Sequence, residues 1–218
     1  MQYDFFSTES SAGKQDVIKA LISYIDEGKS IVLEFGKYDD LKVYLLVANV
    51  ITRRLRDAYE RKTSTYLQSK NEADKPKPLI ITIEEAHKFL SPGIARETPF
   101  GKIAREMRKF FVSLLVVDQR PSAIDEEVLS QIGTKIVAQL SDEKDIGAAL
   151  VGTSNASSLR QILASLDSKQ QALVLGHAVP MPVVMKTRTY DEAFYEDMTQ
   201  DNPSSADDAR DEMKDMFY

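Results

Sequence analysis

Residues 79–87 read LIITIEEAH, and the placement of the other elements follows from them. Leu79 to Ile83 is a continuous apolar run rich in β-branched residues, the pattern of a central strand covered on both faces. It stops at two successive acids, Glu84 and Glu85. In open α/β sheets, ligands gather beyond the carboxyl ends of the strands, so the residues that close an apolar run are where chemistry is expected. A second run of the same kind, Val112 to Val117, closes with Asp118, Gln119, Arg120 and Pro121. Two neighbouring strands would bring these polar tails together.

Working outward, Val17, Ile18, Leu21, Ile22 and Ile25 recur at helical spacing and predict an amphipathic helix over 15–27, stopped by Gly28. The run from Ser30 to Phe35 reads as a short buried strand closed by Gly36. A long helix is expected over 41–67. Leu41, Leu45, Ala48, Ile51, Leu55 and Ala58 lie on one stripe; Arg53, Arg54, Arg56, Arg61 and Lys62 lie on the other face. The polar stretch 69–78, with two prolines, is a loop. Between the two central strands, a loop at 91–98 precedes a helix over 99–109. After them, Ser122 to Asp125 has capping-box spacing before a short helix through Gln131. A strand over 134–140 follows, with Ser141 as the expected cap of the next helix. A helix over 156–166 and strands at 171–175 and 183–189 complete the series. Strands alternating with helices imply an α/β fold with a largely parallel sheet flanked by helices.

The composition excludes several classes of function. A length of 218 residues suits one domain or slightly more. With no cysteine, disulfides, thiolate metal sites and cysteine nucleophiles are ruled out; two histidines 90 positions apart argue against a histidine metal centre. The longest apolar run, Phe110 to Val117, is eight residues, short of the roughly 18 a membrane span needs. Met1 to Ser11 has two acids and no base, unlike a secretory or transit signal, so a cytoplasmic address is expected. The net charge of −6 is uneven: residues 190–218 carry −8, leaving +2 for residues 1–189. The acidic character belongs to the tail, and it does not argue against a nucleic-acid partner for the body.

An apolar strand ending in two acids is the Walker B pattern of phosphate-chain hydrolases. Side chains alternate along a strand, so the two acids have different tasks. Glu84 would face the Mg²⁺ region through water, while Glu85 would project toward the γ-phosphate and polarise the attacking water. The alternative is an acidic pair that merely starts a helix at Ala86. Gln119, at the tip of the adjacent strand, has an amide that can donate to a γ-phosphate and accept from the lytic water. Its alternative is a polar residue satisfying turn backbone groups before Pro121. Arg105 and Arg108 share a helix face. They could serve as an arginine finger in a neighbouring subunit's site, or form a solvated basic face with internal ion pairs. His87 reads as a structural histidine hydrogen-bonded near the acids, and the basic face at 53–62 as solvated.

Such a site needs a cradle for the β- and γ-phosphates, normally G-x-x-x-x-G-K-[ST] between a strand and a helix. These 218 residues contain no such stretch. Gly13-Lys14 lacks the first glycine, the following hydroxyl and a preceding strand. The chain holds half of a nucleotide site, and alone it is expected not to hydrolyse ATP well.

The collinear series IVLEF, IITIEEAHKFL, GKIAREMRKF, LLVVDQRPSAIDEEVLSQIGTKIVAQLSDEKDIGAAL and QALVLGHAVPMPVVMKTRTY resembles the C-terminal half of the HerA-type ATPases, in the HerA–FtsK group of DNA-translocating motors. The resemblance spans roughly residues 28–190, leaving 1–27 as a leading helical segment and 191–218 as an acidic tail. EEAH alone is weak, since DEAH-type helicases share it. EEAH followed 34 residues later by QRPS-x-x-D-x-x-V-L-S-Q is specific. The resemblance implies a RecA-like core truncated on its N-terminal side, ATP with Mg²⁺, a hexameric ring, and DNA threaded through its centre. A NurA-like nuclease or another effector would be the partner in end processing or defence. It implies Glu85 as the catalytic acid, Glu84 as its metal-side neighbour and Gln119 as the sensor amide, with Arg105 or Arg108 as the finger. Two departures stand out: Glu84 where many members carry Asp, and the absence of both the P-loop and the N-terminal barrel domain. A different class of function stays open, a non-catalytic oligomerisation or docking module that keeps the ATPase fold.

Overall fold

The computed structural model describes residues 17–33, 41–96 and 98–200. The chain divides into two compact units, 1–132 and 133–218. In the first, helix α1 (Val17–Glu27) ends at Gly28, whose φ of +89° no side-chain-bearing residue adopts easily. Helix α2 (Leu41–Ser69) confirms the long helical pattern. From its expected stripe Leu55 and Ala58 are buried, joined by Val43, Thr52 and Tyr59, while Arg53, Arg54 and Arg61 remain exposed. Asp26 of α1 accepts from Lys62 of α2, and its carbonyl accepts from Lys77 at 2.8 Å, tying helix to loop.

Strand β1 (Leu79–Glu84) leads into the one-turn helix α3 (His87–Leu90). Helix α4 (Pro99–Glu106) has proline in its first turn, where the missing N–H costs nothing, and tightens into a 3₁₀ turn at Met107–Phe110. Strand β2 (Val112–Val117) pairs with β1 in parallel, and helix α5 (Glu126–Gln131) closes the unit. Leu90, Ile103, Met107 and Val112 are fully buried or nearly so.

The second unit runs β3 (Thr134–Val137), α6 (Glu143–Ala149), α7 (Ala156–Ser165), β4 (Gln171–Gly176), β5 (Val183–Lys186) and α8 (Glu192–Gln200). Its sheet is antiparallel in the order β3-β4-β5. Among the described residues, the expected parallel pairing is therefore found in β1 and β2 alone. Two helices separate β3 from β4, as the sequence suggested, and β4 runs back along β3; the short link from β4 to β5 permits only antiparallel pairing. Ile146, Leu150, Leu159, Leu163, Leu166, Leu173 and Leu175 form the core of this unit.

Three local expectations are corrected. Ser30 to Leu33 form no strand, and Val32 is 82% exposed; Glu34 and Phe35 lie outside the described residues, as does the acidic tail beyond 200. A β run becomes a strand only with a ladder partner, and the partner of β1 among the described residues is β2 alone. Asp125, not Ser122, caps α5, accepting from the backbone of Glu127 and Val128. Asp142, not Ser141, caps α6 in the same way. In both, a carboxylate one to three residues further on outcompetes the hydroxyl, adding its charge to the helix N-terminus.

Gly176 tests the backbone of the second unit. Its φ is +100°, and a Cβ there would lie 2.1 Å from the Gly133 carbonyl oxygen. Gly93 has a similar φ of +94° with nothing within 4 Å. Gly93→Ala should cost only the backbone strain, about 1–2 kcal/mol. Gly176→Ala should cost on the order of 3 kcal/mol or more, because backbone has to move. Urea unfolding midpoints of the two variants check this.

Candidate functional site

The register of β1 on β2 runs from Leu79 opposite Val112 to Glu84 opposite Val117, so both strands end at one level. Their polar tails leave from the same sheet edge. Glu84 is exposed and shares its strand face with Ile80 and Thr82. Glu85 then breaks the alternation with a φ of +49°, a left-handed conformation that costs a glutamate roughly 1–3 kcal/mol. Its side chain is about half exposed. The backbone holds the turn: Ala86 N–H donates to the Val117 carbonyl at 3.4 Å, and Lys88 N–H to the Glu85 carbonyl at 2.9 Å. The helix-start alternative lacks its hydrogen bond, because Ala86 occupies the N-cap position of α3 and neither Glu84 nor Glu85 caps the helix.

Asp118, the first residue after β2, is the most heavily used side chain here. It is 4% exposed. One carboxylate oxygen accepts from the His87 backbone N–H at 2.7 Å and lies 2.9 Å from the His87 ring Nδ1. The other accepts from the Arg120 N–H at 2.7 Å, closing a turn around Gln119. Burial pushes the Asp118 carboxyl up; the donors from Arg120 and His87 more than reverse this and hold it below its ordinary range. The other ring nitrogen of His87, Nε2, faces the Glu85 carboxylate at 3.9 Å. His87 is thus hydrogen-bonded beside the acids, as the sequence suggested. Its anchor Asp118 carried a signal, a carboxylate closing an apolar strand directly before the amide, that was not given a role.

Gln119 is exposed, and its amide has no partner among the described residues. Asp118 satisfies the turn, leaving the amide free. Arg105 and Arg108 part company. Arg105, on α4, pairs with Glu127 of α5 at 3.0 Å. Arg108, on the following 3₁₀ turn, is exposed and has no ion pair among the described residues. The structure brings Glu84, Glu85 and Gln119 to one edge; the two arginines lie on α4 and on the 3₁₀ turn that leads into β2. Among the described residues, no group of three or more potential ligands gathers around a metal position. None of the described helices is long and apolar enough to cross a membrane.

The chain is similar to DNA double-strand break repair helicase HerA from Sulfolobus acidocaldarius, 33% identical over 169 residues, or 76% of this chain and 33% of that protein. The protein of the same name from Saccharolobus solfataricus is 35% identical over 169 residues, covering 76% and 32%. That from Pyrococcus furiosus is 35% identical over 144 residues, covering 65% and 26%. The chain spans about a third of the length of the curated relatives it matches. No family model matches it. Among solved structures, the genome packaging NTPase B204 from Sulfolobus turreted icosahedral virus 2 in complex with ATP-gammaS aligns with a TM-score of 0.48 and 15% identity. It covers 77% of this chain and 72% of that one. That likeness is too slight to bear on the site.

Because the Asp118 carboxyl titrates lower in the folded chain than its ordinary value near 3.8, it stabilises the fold in full above that value. The contribution declines as pH falls below it and is gone once pH passes the depressed folded value. Asp118→Asn should therefore be less stable than the parent at neutral pH. The gap should narrow below about pH 4. Thermal melts of both proteins from pH 7 to pH 2 read the difference directly.

Proposed function

In sequence this chain belongs to the HerA-type ATPase family, and from that premise we propose that residues 28–190 form the C-terminal part of a RecA-like ATPase domain that drives a motor on DNA. The observation that carries the reading is the shared edge of β1 and β2. It presents Glu85 and Gln119, one acid and one amide, both exposed and without direct hydrogen-bond partners among the described residues. Glu85 is the group that polarises the attacking water. Gln119 senses the γ-phosphate.

ATP with Mg²⁺ is the cofactor, and the residues present fit half of that task. Mg²⁺ is usually held by one or two carboxylates together with phosphates and water, so a lone exposed Glu84 suits it and no dedicated cage is needed. The phosphate cradle has to come from sequence other than these 218 residues. Arg108 is the better finger of the two arginines, because Arg105 is already engaged by Glu127. An exposed pair of that kind is worth little, about 0–1 kcal/mol, so Arg105 stays available as a second cation. A finger acting between subunits calls for a ring of identical copies. The hexameric assembly, the DNA in its centre and a NurA-like nuclease or other effector all belong to this reading.

DNA-stimulated ATP hydrolysis tests it. The 218-residue chain alone should be nearly silent, and a protein that joins it to a P-loop should turn over. In that protein Glu85→Gln should lower kcat by about 100-fold or more, and Arg108→Ala by about 1,000-fold. Mixing the two inactive variants should restore part of the activity, since an E85Q subunit still lends its Arg108 to a neighbour. A silent longer protein, or no recovery on mixing, would favour the docking-module alternative or a different finger respectively.

A further inference from the structure

We propose that Asp118 and His87 are positioning residues, which lock the Glu85 carboxylate and the Gln119 amide at one fixed spacing. The inference rests on the roles given above to Glu85 and Gln119. Its basis is the way a single side chain grips both turns. One Asp118 oxygen takes the His87 N–H and ring; the other takes the Arg120 N–H. The first grip fixes the start of α3, immediately after the left-handed Glu85. The second bends the chain around Gln119. Neither the Glu85 carboxylate nor the Gln119 amide has a direct hydrogen bond among the described residues, so their separation is set by the backbone turns that carry them.

A left-handed glutamate persists only where its surroundings over-determine it. The Val117 carbonyl contact to Ala86 is long, at 3.4 Å, and the 2.9 Å bond from Lys88 N–H to the Glu85 carbonyl lies within the turn, so neither ties it firmly to β2. The two contacts from Asp118 to His87 are short, and a charged acceptor roughly doubles the strength of such bonds. With Nδ1 donating to Asp118, the ring plane is fixed and Nε2 is left facing Glu85 at 3.9 Å. That distance is beyond direct hydrogen bonding, so the imidazole acts on Glu85 as a wall and a dipole, restricting the rotamers of a half-exposed carboxylate. A constellation of this kind has to hold within about 0.5 Å of its working geometry, which a buried and saturated carboxylate can supply and two exposed side chains cannot.

The test is single-turnover hydrolysis of radiolabelled ATP, sensitive enough for slow variants, in the P-loop-bearing protein. Asp118→Asn keeps the shape but turns one acceptor into a donor, so one of the two grips has to fail. His87→Ala removes the ring and keeps the backbone bond; at 27% side-chain exposure it should fold normally. Both should lower the hydrolysis rate roughly 10- to 100-fold, with KM for ATP within about two-fold of the parent. His87→Ala should lose its effect in a Glu85→Gln background, and Asp118→Asn should lose most of its effect alongside Gln119→Ala. Rates near the parent value, a matching rise in KM, or penalties that persist undiminished in the double variants would overturn the proposal. If Glu85→Gln is itself fully active, the role given to Glu85 fails first, and the positioning claim goes with it.

Discussion

The parallel register of β1 against β2 is the constraint on which everything else turns. Glu84 stands opposite Val117, so two strands separated by 27 residues of connection end at the same height. A slip by one residue would send every side chain of β1 to the other face of the sheet. It would also pull Ala86 away from the Val117 carbonyl and His87 away from Asp118. The apolar pattern that sets the register and the polar tails that use it are one device. Burial of Ile83 and Val112 fixes the alignment, and the tails inherit it.

That sheet is covered unevenly. Ile80 is 64% exposed, Leu115 49% and Val117 46%, all on the face that carries Glu84. Parallel sheets are normally buried on both faces, because their pairing is too weak to stand in water unaided. A two-stranded parallel pair is the extreme case. Val32 and Leu33 are likewise exposed. A segment that reads as a strand without forming one, and a sheet face that reads as core without being covered, are the same fact seen from two sides. Both sequences are written for neighbours that the described residues do not provide.

How much of this was legible in the sequence follows from how local each signal is. Strand β2 and the helical pattern of α2 were read within a residue or two, because apolar periodicity is enforced by burial and repeats over many positions. Caps were misassigned at Ser122 and Ser141: a cap is one hydrogen bond, and Asp125 and Asp142 stood close enough to compete for it. Strand direction in the second unit was not visible either, since two intervening helices can deliver the next strand in either direction until the chain is followed in space. Glu84, Glu85 and Gln119 were singled out because each follows an apolar run, and the pairing of β1 with β2 brings them to one edge. Asp118 closes one too, yet nothing in a linear string says that its two oxygens serve two different turns.

The division of labour at the edge explains that blind spot physically. Groups expected to act on a ligand keep unused hydrogen-bonding capacity: the Glu84, Glu85 and Gln119 side chains are all exposed, and none has a direct hydrogen bond among the described residues. Groups that hold the geometry are saturated: Asp118 is nearly inaccessible, with both oxygens engaged and its carboxyl kept ionised by the donors around it. The same contrast separates the two arginines: among the described residues Arg108 has no ion pair, and Arg105 is paired to Glu127. A sequence lists residue types and is silent on saturation. An acid that holds and an acid that acts therefore read identically until their hydrogen bonds are counted, and the cost of an unpaired buried group makes the count decisive.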